Sequence, residues 1–300
     1  MKKNIRSGEQ KSIQTESPPG GFQSNENKKI IENFYKKNSI VDNVTVGANQ
    51  LSDKATLIEQ SEFLEQIIRR LSVQEFKFYL EKSKFSSNLL FLLSKHFPFH
   101  QIVKAQRPDL ISELLKHNFD INAFDNTKPF PLTPLWITCA NNNIGIATEL
   151  LQYGANPTIE CGNLLPIQVV PLSNCEEFFA LFEKYRMPRT AKNSSKQTLL
   201  HLKIISNERD YVVKLMEMNF DNFDVDIYGK TPFEYTLLPG REQIFDYMLT
   251  NYPHQIPMLT PEKLKTIPPE KQQKILKTSL TITVLRFNPP AHQGIENLVL

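Results

Sequence analysis

The chain has 300 residues, 40% hydrophobic and 22% charged, enough apolar material for a sizeable core in one elongated module or two domains. A net charge of +3 argues against a dedicated nucleic-acid binder, which clusters Lys and Arg on one face. Three cysteines without C-x-x-C spacing, Cys139, Cys161 and Cys175, fit free thiols in a reducing compartment.

The first six residues carry charge with no apolar run behind them, so no secretory leader is expected. No stretch approaches the roughly 18 apolar residues of a membrane span. A soluble, cytoplasmic protein is expected. Residues 1–28 are polar and hold Ser17-Pro18-Pro19-Gly20-Gly21, too few apolar groups to offset the entropy of ordering. Residues 1–53 therefore read as a flexible tail, with a short helix over 29–37. From 54 the pattern changes. Leu57, Ile58, Phe63, Leu64, Ile67, Ile68 and Leu71 recur at helical spacing, followed by Val73, Phe76, Phe78, Tyr79 and Leu80, then an apolar run over 89–93. Residues 54–96 are expected to form a helical cap, because the end of a repeat array exposes an apolar face. The rival reading is a separate small helical domain with its own partner, and a second alternative is an enzymatic or modifying domain in residues 30–95 for which the rest of the chain serves as a targeting arm.

Residues 97–254 carry a beat. Phe97-Pro98-Phe99-His100, Thr133-Pro134-Leu135-Trp136, Leu165-Pro166-Ile167-Gln168, Thr198-Leu199-Leu200-His201 and Thr231-Pro232-Phe233-Glu234 start 36, 32, 33 and 33 residues apart. Thr caps a helix with its side chain, and Pro suits the first helical position because its missing N–H has no partner there. Twenty-one residues after the first four starts lie Asn118, Gly154, Arg186 and Asn219, each preceded by an apolar pair: Leu114-Leu115, Leu150-Leu151, Leu181-Phe182 and Leu215-Met216. Gly or Asn there is expected where a helix ends in a left-handed turn. Each unit thus predicts a first helix, a tight turn, a second helix and a projecting hairpin loop. After the array, Thr260-Pro261 opens a further helix, and Ile267-Pro268-Pro269-Glu270 another through about Leu280. Residues 281–285 are β-prone or continue that helix. Residues 255–285 are expected as the C-terminal helical cap and 286–300 as a loose tail.

The 33-residue beat, the T-P-L starts and the closing Gly154-Ala155 resemble the ankyrin repeat, best preserved from Thr133 to Pro157. The resemblance covers about half the chain in five units. Only two units keep His in the fourth position of the start, Arg186 replaces the closing Gly, and the first and third units are eroded. It implies an all-α ankyrin-repeat solenoid of helix-turn-helix units with short hairpin loops and helical caps at both ends. It also implies that His100 and His201 bind neighbouring backbone and tie one unit to the next.

Catalytic chemistry is not visible. Cys175 sits beside Glu176-Glu177 without a sequence-local base, Asp221, Asp224 and Asp226 lack the Gly and closing Glu of a calcium loop, and no phosphate-binding loop is present. No enzyme, cofactor or metal is expected. What the resemblance implies is a monomeric module that binds another protein through fingers and concave face, similar to the stand-alone ankyrin proteins that intracellular bacteria deliver into host cells. Neither nucleic acid nor a membrane span is expected. By position in the repeat, the contacting residues are Lys128, Phe130, Leu132, Trp136 and Asn141 in the second unit, with Cys161 and Leu164 in the third. The fourth supplies Ser195 and Gln197, and the fifth Ile227, Tyr228 and Lys230. Phe130 and Tyr228 are the aromatic tips.

Overall fold

The computed structural model describes residues 23–37, 57–82, 86–126, 130–220, 224–254 and 260–287. Lys128, Asp221, the terminal tails and residues 38–53 lie outside them. The architecture is all-α. Among the described residues the only strand-like pairing is an isolated bridge between Asp125 and Leu132. The chain divides into two compact units, Met1–Cys161 and Gly162–Leu300.

The first unit runs through α1 (Gln23–Lys37), α2 (Leu57–Arg70), α3 (Val73–Glu81), α4 (Ser86–Lys95), α5 (Pro98–Ala105), a 3-10 turn at Pro108–Leu110, α6 (Ile111–Lys116), α7 (Pro134–Ala140) and α8 (Ile144–Gln152). Helix α1 starts at Gln23, six residues before the expected 29. Tertiary contacts explain the extension: Ile31 is buried, and Asn27 Nδ2 donates to Glu75 Oε1 at 3.2 Å. The other Glu75 oxygen accepts the Ser72 N–H at 2.9 Å, closing a capping box on α3. Helix α2 packs on α5 and α5 on α7, while α3 and α8 both pack on the Pro108–Leu110 turn. The α2–α3 hairpin therefore flanks the α5–α6 pair as α7–α8 does on its other side. Leu64, Ile68, Phe76, Phe99, Ile102 and Leu110 are buried between them, each worth about 1.5–3 kcal/mol of burial.

The second unit contains 3-10 turns at Pro166–Val169 and Leu172–Asn174, then α9 (Cys175–Lys184), α10 (Leu199–Ile205), α11 (Arg209–Glu217), α12 (Pro232–Tyr235), α13 (Glu242–Asn251), α14 (Pro261–Lys265) and α15 (Pro269–Phe287). Helix α10 packs on both the Pro166–Val169 turn and α12, and α11 packs on α13. Helix α15 runs past Leu280 to Phe287, so residues 281–285 continue it. The first helix expected after Leu165 is absent: two short 3-10 turns replace it. Pro171 is the physical reason. It disfavours helical geometry in the residue before it, and Val170 is extended with ψ 132. The Val170 carbonyl is taken instead by the buried Tyr211 hydroxyl of α11, at 2.8 Å.

The expected left-handed helix ends are all present. Asn118, Gly154, Arg186 and Asn219 have φ of 60, 91, 62 and 59°, so Arg186 adopts the turn despite its Cβ. A second left-handed residue falls nine positions after four of the five starts, at Gln106, Asn142, Asn207 and Gly240. A third falls two positions before the starts of the second unit, at Asn163, Lys196 and Gly229. Thr133, Thr198, Thr231 and Thr260 cap their helices as expected.

Candidate interaction surface

The fingers are positioned by donors from the preceding start. In the second unit, buried His201 accepts the Thr198 N–H on Nδ1 at 3.2 Å, and its Nε2 donates to the Lys230 carbonyl at 3.1 Å. One nitrogen accepting and one donating requires the neutral imidazole. Burial lowers its pKa, against the Lys230 carbonyl contact, which raises it. Gln168 holds the same position and does the same work. Its Oε1 accepts the Leu165 N–H at 3.0 Å, and its Nε2 donates to the Gln197 carbonyl at 2.9 Å. In the first unit, His100 Nε2 lies 2.8 Å from the Leu132 carbonyl. Sequence reading found the two histidines and missed Gln168, although the fourth position of the start would have marked it. Trp136 fills that position in α7. It is half-buried, and its shielded Nε1 has no hydrogen-bond partner among the described residues.

The finger ahead of α12 is built around Asp226. This buried carboxylate accepts the Tyr228 and Lys230 N–H groups on Oδ1 at 2.8 and 3.1 Å and the Tyr235 hydroxyl on Oδ2 at 2.5 Å. Its own N–H donates to the Lys230 carbonyl, and Gly229 supplies φ 65°. Burial alone would raise the carboxyl pKa; the donors from Tyr235, Lys230 and Tyr228 outweigh it and hold it below the usual range. The carboxylate's purpose is thus to rigidify a hairpin whose tip projects.

Within the second unit the fingers are stitched into one edge. The Ile227 N–H donates to the Ser195 carbonyl at 3.1 Å. Asn163 Nδ2 donates to Ser195 Oγ at 2.9 Å, and Asn193 Nδ2 to the Asn163 carbonyl at 2.8 Å. Lys263 Nζ donates to the Gly229 carbonyl at 3.1 Å and pairs with Glu234 at 2.6 Å. On this edge Ile227 and Tyr228 remain 51% and 70% exposed beside the exposed Val225, so the apolar side chains adjoin rather than stand singly.

The other predicted contact residues fall as follows. Leu164, Ser195 and Gln197 are half-buried, and Lys230 is exposed, its ammonium 5.4 Å from the Tyr235 ring centroid. In the first compact unit Phe130 is 68% exposed and Asn141 is exposed at the end of α7. Leu132 is half-buried, and its carbonyl also accepts the Asp125 N–H at 2.9 Å. The structure corrects the placement of Cys161. It is buried, with its sulfur accepting the Thr133 N–H at 3.4 Å, and contributes scaffold rather than surface. Cys139 is sealed in the core, where burial pushes its thiol well up. Among the described residues no cluster of His, Cys, Asp or Glu is arranged to hold a metal ion, and no helix is long and apolar enough to cross a membrane.

A family model described as Ankyrin repeat matches residues 132–161, from the start at Thr133 through α8 to the next finger. No curated protein matches the chain. The chain thus carries an ankyrin repeat, a kind of module that is typically non-catalytic and binds other proteins.

Proposed function

We propose that this protein is a non-catalytic binding module that holds a partner protein against its hairpin fingers, with the five stretches that begin at Phe97, Thr133, Leu165, Thr198 and Thr231 acting as degenerate ankyrin repeats. The supporting observation is the edge of the second unit, where Ile227 and Tyr228 stand exposed on a hairpin held by the buried Asp226 carboxylate. A preorganised tip loses little entropy on binding, and exposed Tyr is a common anchor of binding hot spots. In the first unit Phe130, Trp136 and Asn141 are the corresponding contact residues of this reading. Affinity capture tests it, with the full chain and an Ile227→Ala/Tyr228→Ala variant as parallel baits. Partners that the variant loses while its melting temperature is unchanged support the reading. Identical captured sets overturn it. The reading extends to a protein delivered by an intracellular bacterium into the host cytosol, on the strength of the resemblance to such stand-alone repeat proteins. A cytosol-activated reporter fused to the chain tests that extension: signal inside infected cells supports it, and silence overturns it.

A further inference from the structure

The finger edge of the second unit carries a charge imbalance that narrows what it binds. Among the described residues Asp224, Asp226 and Glu234 are already engaged. Asp226 is buried around its own turn, Asp224 pairs with Lys192 at 2.6 Å, and Glu234 pairs with Lys263 at 2.6 Å. Lys196 and Lys230 are exposed and form no ion pair among the described residues. Lys196 also sits in a left-handed conformation, φ 57°, at the finger position that Gly229 fills with φ 65°. A side chain there costs about 1 kcal/mol relative to Gly, and what Lys adds in return is a cation at the tip. The Ile227 N–H bond to the Ser195 carbonyl places Lys196 and the Ile227–Tyr228 tip side by side on adjoining fingers. The edge thus presents two exposed ammonium groups with no ion-pair partner among the described residues, that of Lys230 lying over the Tyr235 ring, around an apolar anchor point.

We propose that this edge recognises an acidic peptide segment of the partner, in which an aliphatic or aromatic residue is flanked by Asp or Glu. The apolar side chain packs on Ile227 and Tyr228, and the carboxylates meet Lys196 and Lys230. This deepens the reading of the fingers as a protein-binding surface and rests on it. A nucleic acid would also satisfy the lysines. The protein segment is favoured because the anchor pairs one Tyr with aliphatic Ile227 and Val225, both exposed, rather than with the successive aromatics on which bases stack.

The test is selection of random displayed peptides on the full chain, on Lys196→Glu/Lys230→Glu and on Ile227→Ala/Tyr228→Ala, each checked for folding by thermal melting. Acidic peptides bearing an apolar residue are the expected winners on the native chain. Their affinity should fall at least about tenfold on either variant, with basic peptides gaining on the charge-reversed one. Winners without net negative charge, or winners indifferent to charge reversal, overturn the acidic assignment. If those winners still need Ile227 and Tyr228, the finger surface itself stands. If nothing is enriched over an unrelated bait, or nothing depends on those two residues, the finger reading falls as well. A labelled oligothymidine serves as the counter-probe. Tighter binding than the selected peptides, lost on charge reversal, assigns the lysines to phosphate and overturns the proposal.

Discussion

His201 and Gln168 occupy equivalent places and make equivalent bonds, one with a titratable ring and one with an amide. The pair makes a controlled comparison. Because burial lowers the folded-state pKa of His201, the unfolded chain binds the extra proton first. Its stabilising contribution is therefore complete above the unfolded value of roughly 6.5 and declines as pH falls below it. Replacing His201 with Gln should keep the bond to the Lys230 carbonyl, leave stability at pH 7 within about 1 kcal/mol, and flatten the decline between pH 7 and 5 relative to the native chain. Denaturant unfolding at both pH values measures it. Asp226 has the opposite sign. Its depressed folded pKa means the stability it supplies is present above roughly pH 3.9 and is lost as pH falls through the lower folded value. Asp226→Asn leaves the buried Tyr235 hydroxyl without its acceptor, so a loss of about 1–3 kcal/mol at pH 7 is expected. The variant should also lose less further stability than the native chain below pH 4. Arg186, at φ 62°, is the third residue with a clear expectation. Arg186→Gly should raise stability by about 1 kcal/mol by relieving the left-handed Cβ, read as a rise in melting temperature.

Elements in this fold end on cations. Arg107 Nη1 donates to the Ile68 and Leu71 carbonyls at the end of α2, at 2.6 and 2.8 Å. Arg241 donates to the Ile204 and Ile205 carbonyls at the end of α10, and Lys271 Nζ to the Thr236 and Leu238 carbonyls beyond α12. Each supplies a cation to carbonyls at or just beyond a helix end, where the last C=O groups have few intrahelical partners and the helix dipole is negative. Arg241→Ala should cost about 1.5–3 kcal/mol while leaving partner affinity unchanged, measured by urea titration beside a binding assay. These caps were illegible in the sequence because donor and acceptor lie more than thirty residues apart in chain order. The starts and left-handed ends were legible, since Thr-Pro, Gly and Asn act on the backbone next to them. The third start shows where the pattern misleads. Leu165-Pro166-Ile167-Gln168 keeps the spacing, but Pro171, five residues on from Pro166, prevents the helix that the spacing implies.

At the scale of the molecule, the recurring starts fall in both compact units, two in the first and three in the second. The helices bury most of the apolar residues that the periodicity marked, while the loop residues Phe130, Val225, Ile227 and Tyr228 are the most exposed of the large apolar side chains among the described residues. That division explains why the scaffold was readable and the site only partly so. Scaffold residues obey a backbone geometry that recurs, whereas on the proposed function Ile227 and Tyr228 answer to a partner. The fingers' rigidity was not legible either, since Asp226 reads in the sequence as a turn residue and only the structure shows its bond to Tyr235. The central claim concerns the edge from Asn193 to Lys230, and amide hydrogen exchange on the full chain with and without a captured partner tests it most directly. Protection on binding concentrated at residues 193–197 and 225–230, with α11 and α13 unchanged, is the predicted result. Protection confined to α11 and α13, with the fingers exchanging as in the free protein, would contradict it.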